Sequence, residues 1–326
     1  MIKRFMFLLL AAVSVACTVD ETVDSAKGDP NLTITPESGD PEGIDESVFA
    51  LLNLDYPGLE KVKSFYEEED MYMAAYYLLE YYRSRTEVYN SNPDLVNPTL
   101  TVAEKRIADQ ALEGRFYVKY GGVESVDEVT GIETYWSFLD ADGNVDWTFL
   151  PQGVDYKSEF SYQKNRHQWM LPQAKAYRAT GNEDYFNNWI DSYWSWLEKY
   201  PCPEGKTSQM EWTGLQLSSR ISVQTEILWY YIHSSGFTPA LLTKFLKALY
   251  QHVECQRSNW YNTATSNIRL SQEQAFTIAA IMYPEFVKSE EWLSEGASAI
   301  ANQLETQFLE DGVHNEFDIS YHFGET

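Results

Sequence analysis

Helix-stopping residues recur at short intervals along this chain, and the stretches between them carry a helical period, which leaves few architectures open. Gly181-Asn182 separates a stretch at about 158–180 from another at 183–200, and Pro201 with Pro203 ends the second. A further stretch, 209–234, closes at Gly236, and Thr238-Pro239 opens the next with a capping residue and a proline at the first helical position. That one runs to about Arg257, and 270–283 and 288–309 follow. Upstream, 70–85 (DMYMAAYYLLEYYRSR) is apolar nearly all round, as a buried helix is, and 101–113 is a further helix. Short connections between long helices make antiparallel hairpins. The spacing predicts an all-α fold, an α/α toroid or solenoid of such hairpins, and no tetratricopeptide or ankyrin consensus is present. Residues 114–157 break the pattern with Gly121, Gly122, Gly131, Gly143 and Gly153 and alternating aromatics, so a rim or lid, and any short strands, are expected there.

The first residues set the compartment. Lys3 and Arg4 precede an apolar run from Phe5 to Val13, then Ser14-Val15-Ala16 and Cys17. This reads as a signal peptide over residues 1–16, too short for a membrane span. Cleavage before Cys17 would give a lipid-anchored protein, with ordinary signal cleavage as the alternative. Export to the periplasm, with an outer-membrane lipoprotein as its anchored form, is the expectation. Residues 17–44 are acidic, Pro/Gly/Ser-rich and poor in apolar residues, as a flexible tether is. The folded domain is expected over 45–326. Cys202 and Cys255 either pair or stand as separate buried thiols, and no Cys/His spacing resembles a zinc site, so no metal or cofactor is expected.

Net charge is −25, which argues against nucleic acid, since no basic surplus exists to neutralise phosphates. An acidic ligand would need a local basic cluster on an acidic body. The 23 Tyr and 10 Trp suit a groove that stacks sugar rings, although an aromatic core uses them equally well.

Four places hold polar residues that structure alone explains poorly. One is Asn165-Arg166-His167-Gln168-Trp169, whose plain reading is a capped helix start with a hydrogen-bonded histidine. Another is Ser266-Asn267-Ile268-Arg269 followed by Glu273, where Asn267 would ordinarily be an N-cap. Trp212 with Arg220 and Gln224 lies on one helix, and Arg220 there is a buried ion-paired arginine or a substrate clamp. The last is Asp311-Gly312-Val313-His314-Asn315-Glu316-Phe317-Asp318-Ile319-Ser320-Tyr321-His322, a turn followed by alternating polar and apolar residues.

Together these segments resemble the heparinase II/III-type polysaccharide lyases, in particular the heparinase III-like heparan-sulfate lyases of polysaccharide lyase family 12. The resemblance spans roughly 45–326. It rests on FALLNLDYPGLEKVKSFYEEED, KNRHQW, Trp212 with its L-x-x-R helix, and above all SNIRLSQEQ and DGVHNEFDISYH, with Asn267 and Tyr321 54 residues apart. It implies an acidic polysaccharide or oligosaccharide substrate cleaved at C4 of a hexuronate by β-elimination. Asn267 matches the amide that neutralises the substrate carboxylate. Tyr321 matches the catalytic tyrosine, and with an ordinary pKa of about 10 it is a proton donor at pH 7. His167 matches a functional histidine of the family. Arg166, Gln168, Trp212, Arg220, Arg269, Glu273 and His322 are expected to line or shape the cleft.

Family members continue into a C-terminal β-sandwich that supplies a further histidine. On this sequence the expectation is an incomplete toroid that lacks that sandwich and has weak or no activity by itself. Other readings stay open: a lyase of the same superfamily acting on another uronate polymer such as alginate, a non-catalytic glycan-binding lipoprotein, and an inverting glycosidase. The last needs two carboxylates about 6.5–9.5 Å apart.

Overall fold

The computed structural model describes residues 43–85, 99–118, 135–152, 157–262, 266–310 and 312–313. The expected signal peptide and residues 17–42 of the expected tether lie outside these residues, as do Tyr321 and His322. Among the described residues there are ten α-helices: α1 Glu60–Glu67, α2 Met71–Ser84, α3 Val102–Leu112, α4 Lys157–Lys164, α5 Met170–Thr180, α6 Glu183–Lys199, α7 Gly214–Tyr231, α8 Pro239–Ser258, α9 Asn267–Met282 and α10 Ser289–Gln307. Two short strands, β1 Arg115–Tyr117 and β2 Tyr135–Ser137, pair antiparallel within the glycine-rich stretch, with Phe116 opposite Trp136.

Local chemistry explains the helix ends. Thr101 and Glu104 form a reciprocal capping box at α3, and Asp70 and Thr238 cap α2 and α8 by accepting from backbone N–H groups in the first turn. α5 stops where Gly181 turns left-handed, at φ 70°. Three expectations need correction. The stretch 158–180 is two helices, broken at 165–169. The stretch 209–234 begins with a 3₁₀ turn, Met210–Trp212, before α7. And α9 starts at Asn267 itself: Ser266 is the cap, accepting from Arg269 N at 3.2 Å, so the N-cap reading of Asn267 fails by one residue.

The hairpins α5–α6, α7–α8 and α9–α10 stack so that their first helices form one layer: α5 packs on α3 and α7, and α7 packs on α9. This is the layering of an α/α toroid. The described residues that begin the fold close back onto its far side. The 3₁₀ turn Glu46–Leu51 packs on α8, Asn53 N donates to Glu285 O at 2.7 Å, and Val287 N donates to Leu51 O at 2.9 Å. Beside this contact, Arg85 at the end of α2 ion-pairs with Glu285 between α9 and α10, with side chains 1% and 0% exposed. Tyr81 and Tyr82 donate to the same carboxylate at 2.6 and 3.2 Å, and the guanidinium lies 4.2 Å from the centre of the Trp229 ring.

The core is aromatic. Trp169, Trp189, Trp196, Trp212 and Trp292 are fully buried, so half of the ten tryptophans serve packing rather than an open groove. At ~200 Å² per ring and ~25 cal/mol per Å², each contributes roughly 5 kcal/mol of transfer free energy before entropy is set against it. No helix among the described residues is long and apolar enough to cross a membrane.

Candidate functional site

A groove of about 580 Å³ opens where α7, α8 and α9 meet. One wall is Lys206-Thr207 with Thr213-Gly214 at the start of α7. The other is Arg257 to Asn262, at the end of α8 and just beyond it, and Arg269 on the first turn of α9 reaches the lining. Asn267 stands at the first position of α9, two residues from Arg269, where the helix presents its positive dipole end.

The lining is basic and aromatic. Arg269 sits 4.4 Å from the centre of the Trp260 ring and donates to Glu273 at 2.6 Å. Trp260 in turn packs edge-on against Phe276. Arg257 is held by Glu295 at 2.8 Å and by Glu291. Lys206 is exposed and has no ion pair among the described residues, so its charge is the least compensated of the three. Tyr261, 40% exposed, adds an aromatic face.

Beneath the groove wall lies a closed polar cluster. The turn between α4 and α5 is held by Asn165, whose side-chain oxygen accepts from Trp196 Nε1 at 2.8 Å. Arg220 is fully buried on α7 and donates to the carbonyl oxygens of Asn165 (2.8 Å), Gln216 (3.2 Å) and Glu211, while its plane lies 4.1 Å from the Trp196 ring centre. The sequence offered a carboxylate partner for a buried Arg220. The structure gives it backbone carbonyls instead, and those of Asn165 and Glu211 tie two separate turns to α7. On its fourth side, Arg220 Nε lies 3.4 Å from His252 Nε2. His252 Nδ1 faces the Ala248 carbonyl at 2.7 Å and so carries the ring proton, leaving Nε2 to accept. Burial, reinforced by the Arg220 charge, pushes the His252 pKa down to about 3.

His167 adopts φ 57°, a left-handed backbone that is uncommon for a side-chain-bearing residue. That conformation makes the break between α4 and α5. The ring lies among Trp196 (5.0 Å), Trp147 (5.5 Å) and Tyr193 (6.2 Å), and neither ring nitrogen has a hydrogen-bond partner among the described residues. The capped, hydrogen-bonded histidine of the plain reading is therefore not what forms. Burial first, then Arg220 and His252, hold the His167 pKa well below its ordinary value, so the ring is neutral.

The structure thus sorts the expected site residues. Arg269 lines the groove and Asn267 stands beside it. His167, Trp212 and Arg220 are enclosed, and in this structure they present no surface to a ligand. They support the groove from below: Trp212, against His252 at 4.6 Å, directly precedes Thr213 of the lining. Glu273, also buried, fixes Arg269. Arg166 and Gln168 are half-buried on the 165–169 turn. Tyr321 and His322 lie outside the described residues. Among those residues, no group of three or more His, Cys, Asp or Glu could hold a metal. Sequence reasoning missed Lys206, Arg257, Trp260 and Tyr261. A signal was available, since Ser258-Asn259-Trp260-Tyr261-Asn262 is a polar-aromatic run immediately ahead of Ser266-Asn267.

Residues 48–326 match the family model of the heparinase II/III N-terminus. The chain belongs to the heparinase II/III family. Its curated relatives include heparin-sulfate lyases from Bacteroides thetaiotaomicron, 36% identical over 99% of this chain, and from Bacteroides stercoris, 31% identical over 84%. The chain spans 45% and 41% of their lengths, respectively. Among solved structures, heparinase III superposes with a TM-score of 0.78 at 38% identity, covering 86% of this chain and 42% of that one. A heparan sulfate lyase mutant from Pedobacter heparinus gives 0.71 at 26% identity, over 86% of this chain and 42% of that one. The toroid layering described above is therefore the heparinase II/III helical fold.

Proposed function

We propose that this chain forms the helical wall of a lyase cleft that takes a uronate-containing, sulfated polysaccharide of the heparan sulfate type and opens it by β-elimination at C4 of the hexuronate. The observation that carries the reading is the groove itself. On a body of net charge −25, Lys206, Arg257 and Arg269 gather around Trp260 at the helix end where Asn267 sits. Local positive charge inside an acidic envelope suits a polyanion that enters only there.

Elimination needs the substrate carboxylate relieved of charge, a base at C5 and an acid at the 4-oxygen. Asn267 supplies amide N–H donors to the carboxylate as negative charge moves into it, and Tyr321 protonates the departing oxygen. Trp260 and Tyr261 stack sugar faces, and Lys206 takes a sulfate or carboxylate. His167, neutral and enclosed, holds the turn that supports this wall. Export, with lipidation at Cys17, belongs to the same reading and is supported by the basic and apolar pattern of residues 3–17.

The test is product chemistry. Incubation with heparan sulfate should yield unsaturated uronate ends, seen as new ultraviolet absorbance. Asn267→Ala should lower that rate by about 10²–10³ without changing the fold. Cleavage products without unsaturated ends would sink the lyase reading, and so would full activity of the Asn267→Ala variant.

A further inference from the structure

We propose that Cys202 and Cys255 are a disulfide pair that clamps the loop forming one wall of the groove onto α8. After α6 ends, the loop carries Cys202 against the side of α8, with its sulfur 3.6 Å from the carbonyl oxygen of Gln251. Gln251 precedes Cys255 by four residues, one helical turn, so Gln251 and Cys255 share a face of α8. The two side chains are neighbours on that face, and both are free thiols in this structure. The strap that leaves this contact is held again further on. Asn259 donates to Gly205 O at 3.0 Å and accepts from Thr207 N at 2.8 Å. Lys206 lies between these two anchors.

The surroundings divide the roles of the two sulfurs. Cys255 is buried, and its sulfur accepts from Asn259 Nδ2 at 3.5 Å, with the Cys202 thiol and the Arg220 charge nearby. These contacts hold its thiol below its ordinary pKa and favour the thiolate. Cys202 is half-exposed and open to a reagent. The co-reactant is a small-molecule or protein disulfide. Cys202 passes its proton to the Cys255 thiolate as it attacks one of the disulfide's sulfurs, and the first thiol leaves as a thiolate that takes this proton from Cys255, giving a mixed disulfide. The Cys255 thiolate then attacks the Cys202 sulfur and expels the second thiol. Two protein thiols lose two hydrogens, and one external disulfide becomes two thiols. None of this rests on the lyase reading, because it needs only the loop, the helix and an oxidising environment.

The experiment treats the folded protein with glutathione disulfide, denatures it, alkylates free thiols with iodoacetamide and digests it with trypsin. The expected product is peptide 200–206 joined to peptide 248–257. Reduction with dithiothreitol should lower the melting temperature by roughly 5–10 °C. Carbamidomethyl groups on both cysteines overturn the proposal, as does a lasting glutathione adduct on Cys202 beside an alkylated Cys255. Cys202→Ser serves as control. Its Cys255 should remain alkylatable after oxidation, and loss of that thiol would point to a different partner and overturn the pairing.

Discussion

Replacing Glu285 with alanine tests the tightest electrostatic contact in the fold. Glu285 faces Arg85 with both side chains 1% exposed or less, so solvent screening gives no discount. Its carboxylate also accepts from Tyr81 and Tyr82, and the Arg85 guanidinium further donates to Met282 O at 2.7 Å. Removing the acid leaves a buried cation with aromatic neighbours and one carbonyl. Breaking one side of such a pair costs about 3–5 kcal/mol. At roughly 2–4 °C per kcal/mol for a domain of this size, the melting temperature should fall by about 10 °C. Thermal and urea unfolding followed by tryptophan fluorescence and far-ultraviolet circular dichroism measure it, with agreement of the two probes checking for a single transition. The double variant Arg85→Met, Glu285→Leu should recover much of the loss, because a well-packed apolar pair of similar volume often matches a buried ion pair. A Glu285→Ala protein within about 1 kcal/mol of the parent would refute the reasoning, since the guanidinium would then have found water or another partner.

Acid should destabilise the fold through its buried histidines. His252, held at about 3, and His167, also lowered, stay neutral when folded but take up protons when unfolded below about pH 6.5. Stability is therefore full above about pH 6.5 and is lost as pH falls toward 3. The His252 contribution amounts to about 2 kcal/mol by pH 5, and His252→Gln should flatten the pH profile of urea unfolding. At Gly296 an added Cβ would come within 2.1 Å of Thr277 Oγ1 across the α9–α10 contact, so Gly296→Ala should cost about 1–3 kcal/mol in the same assay. In the groove, Trp260→Ala should weaken heparan sulfate oligosaccharide binding about tenfold by calorimetry, through loss of a stacking face. Lys206→Ala should cost several-fold at low salt and little at high salt, and salt-independent loss would contradict a charge contact.

The hairpin order was legible because its signals are local. Asn182, Thr238-Pro239, Gly181 and the paired prolines act within a turn of where they stand, and each helix end they mark formed within a residue or two. The break at 165–169 was not legible, because it depends on His167 taking a left-handed backbone that only Arg220, Trp196 and their neighbours hold in place. No property of Asn-Arg-His-Gln-Trp alone announces that. Arg220 shows the same limit. The sequence placed it on one helix with Gln224, but which side of α7 faces inward is a tertiary fact, and both proved buried. The groove escaped the sequence for a related reason. Lys206, Arg257 and Arg269 lie on three elements that approach only through the stacking of α7, α8 and α9.

The contact between residues 45–53 and α8 through the α9–α10 corner also governs the order in which the chain can acquire its shape. Asp45 needs Thr243 and Lys247, Asn53 needs Glu285, and Leu51 needs Val287. A chain emerging from the ribosome carries residues 45–53 without these partners until about two hundred further residues have followed. Closing so long a span adds loop entropy before any contact rewards it, and contacts of such separation slow folding. The arc between them can build hairpin by hairpin, so the clasp should be the last piece to lock and the first to open under mild denaturant. Amide exchange at Asn53 and Val287 would report that opening well before the hydrogen bonds inside α7 let go.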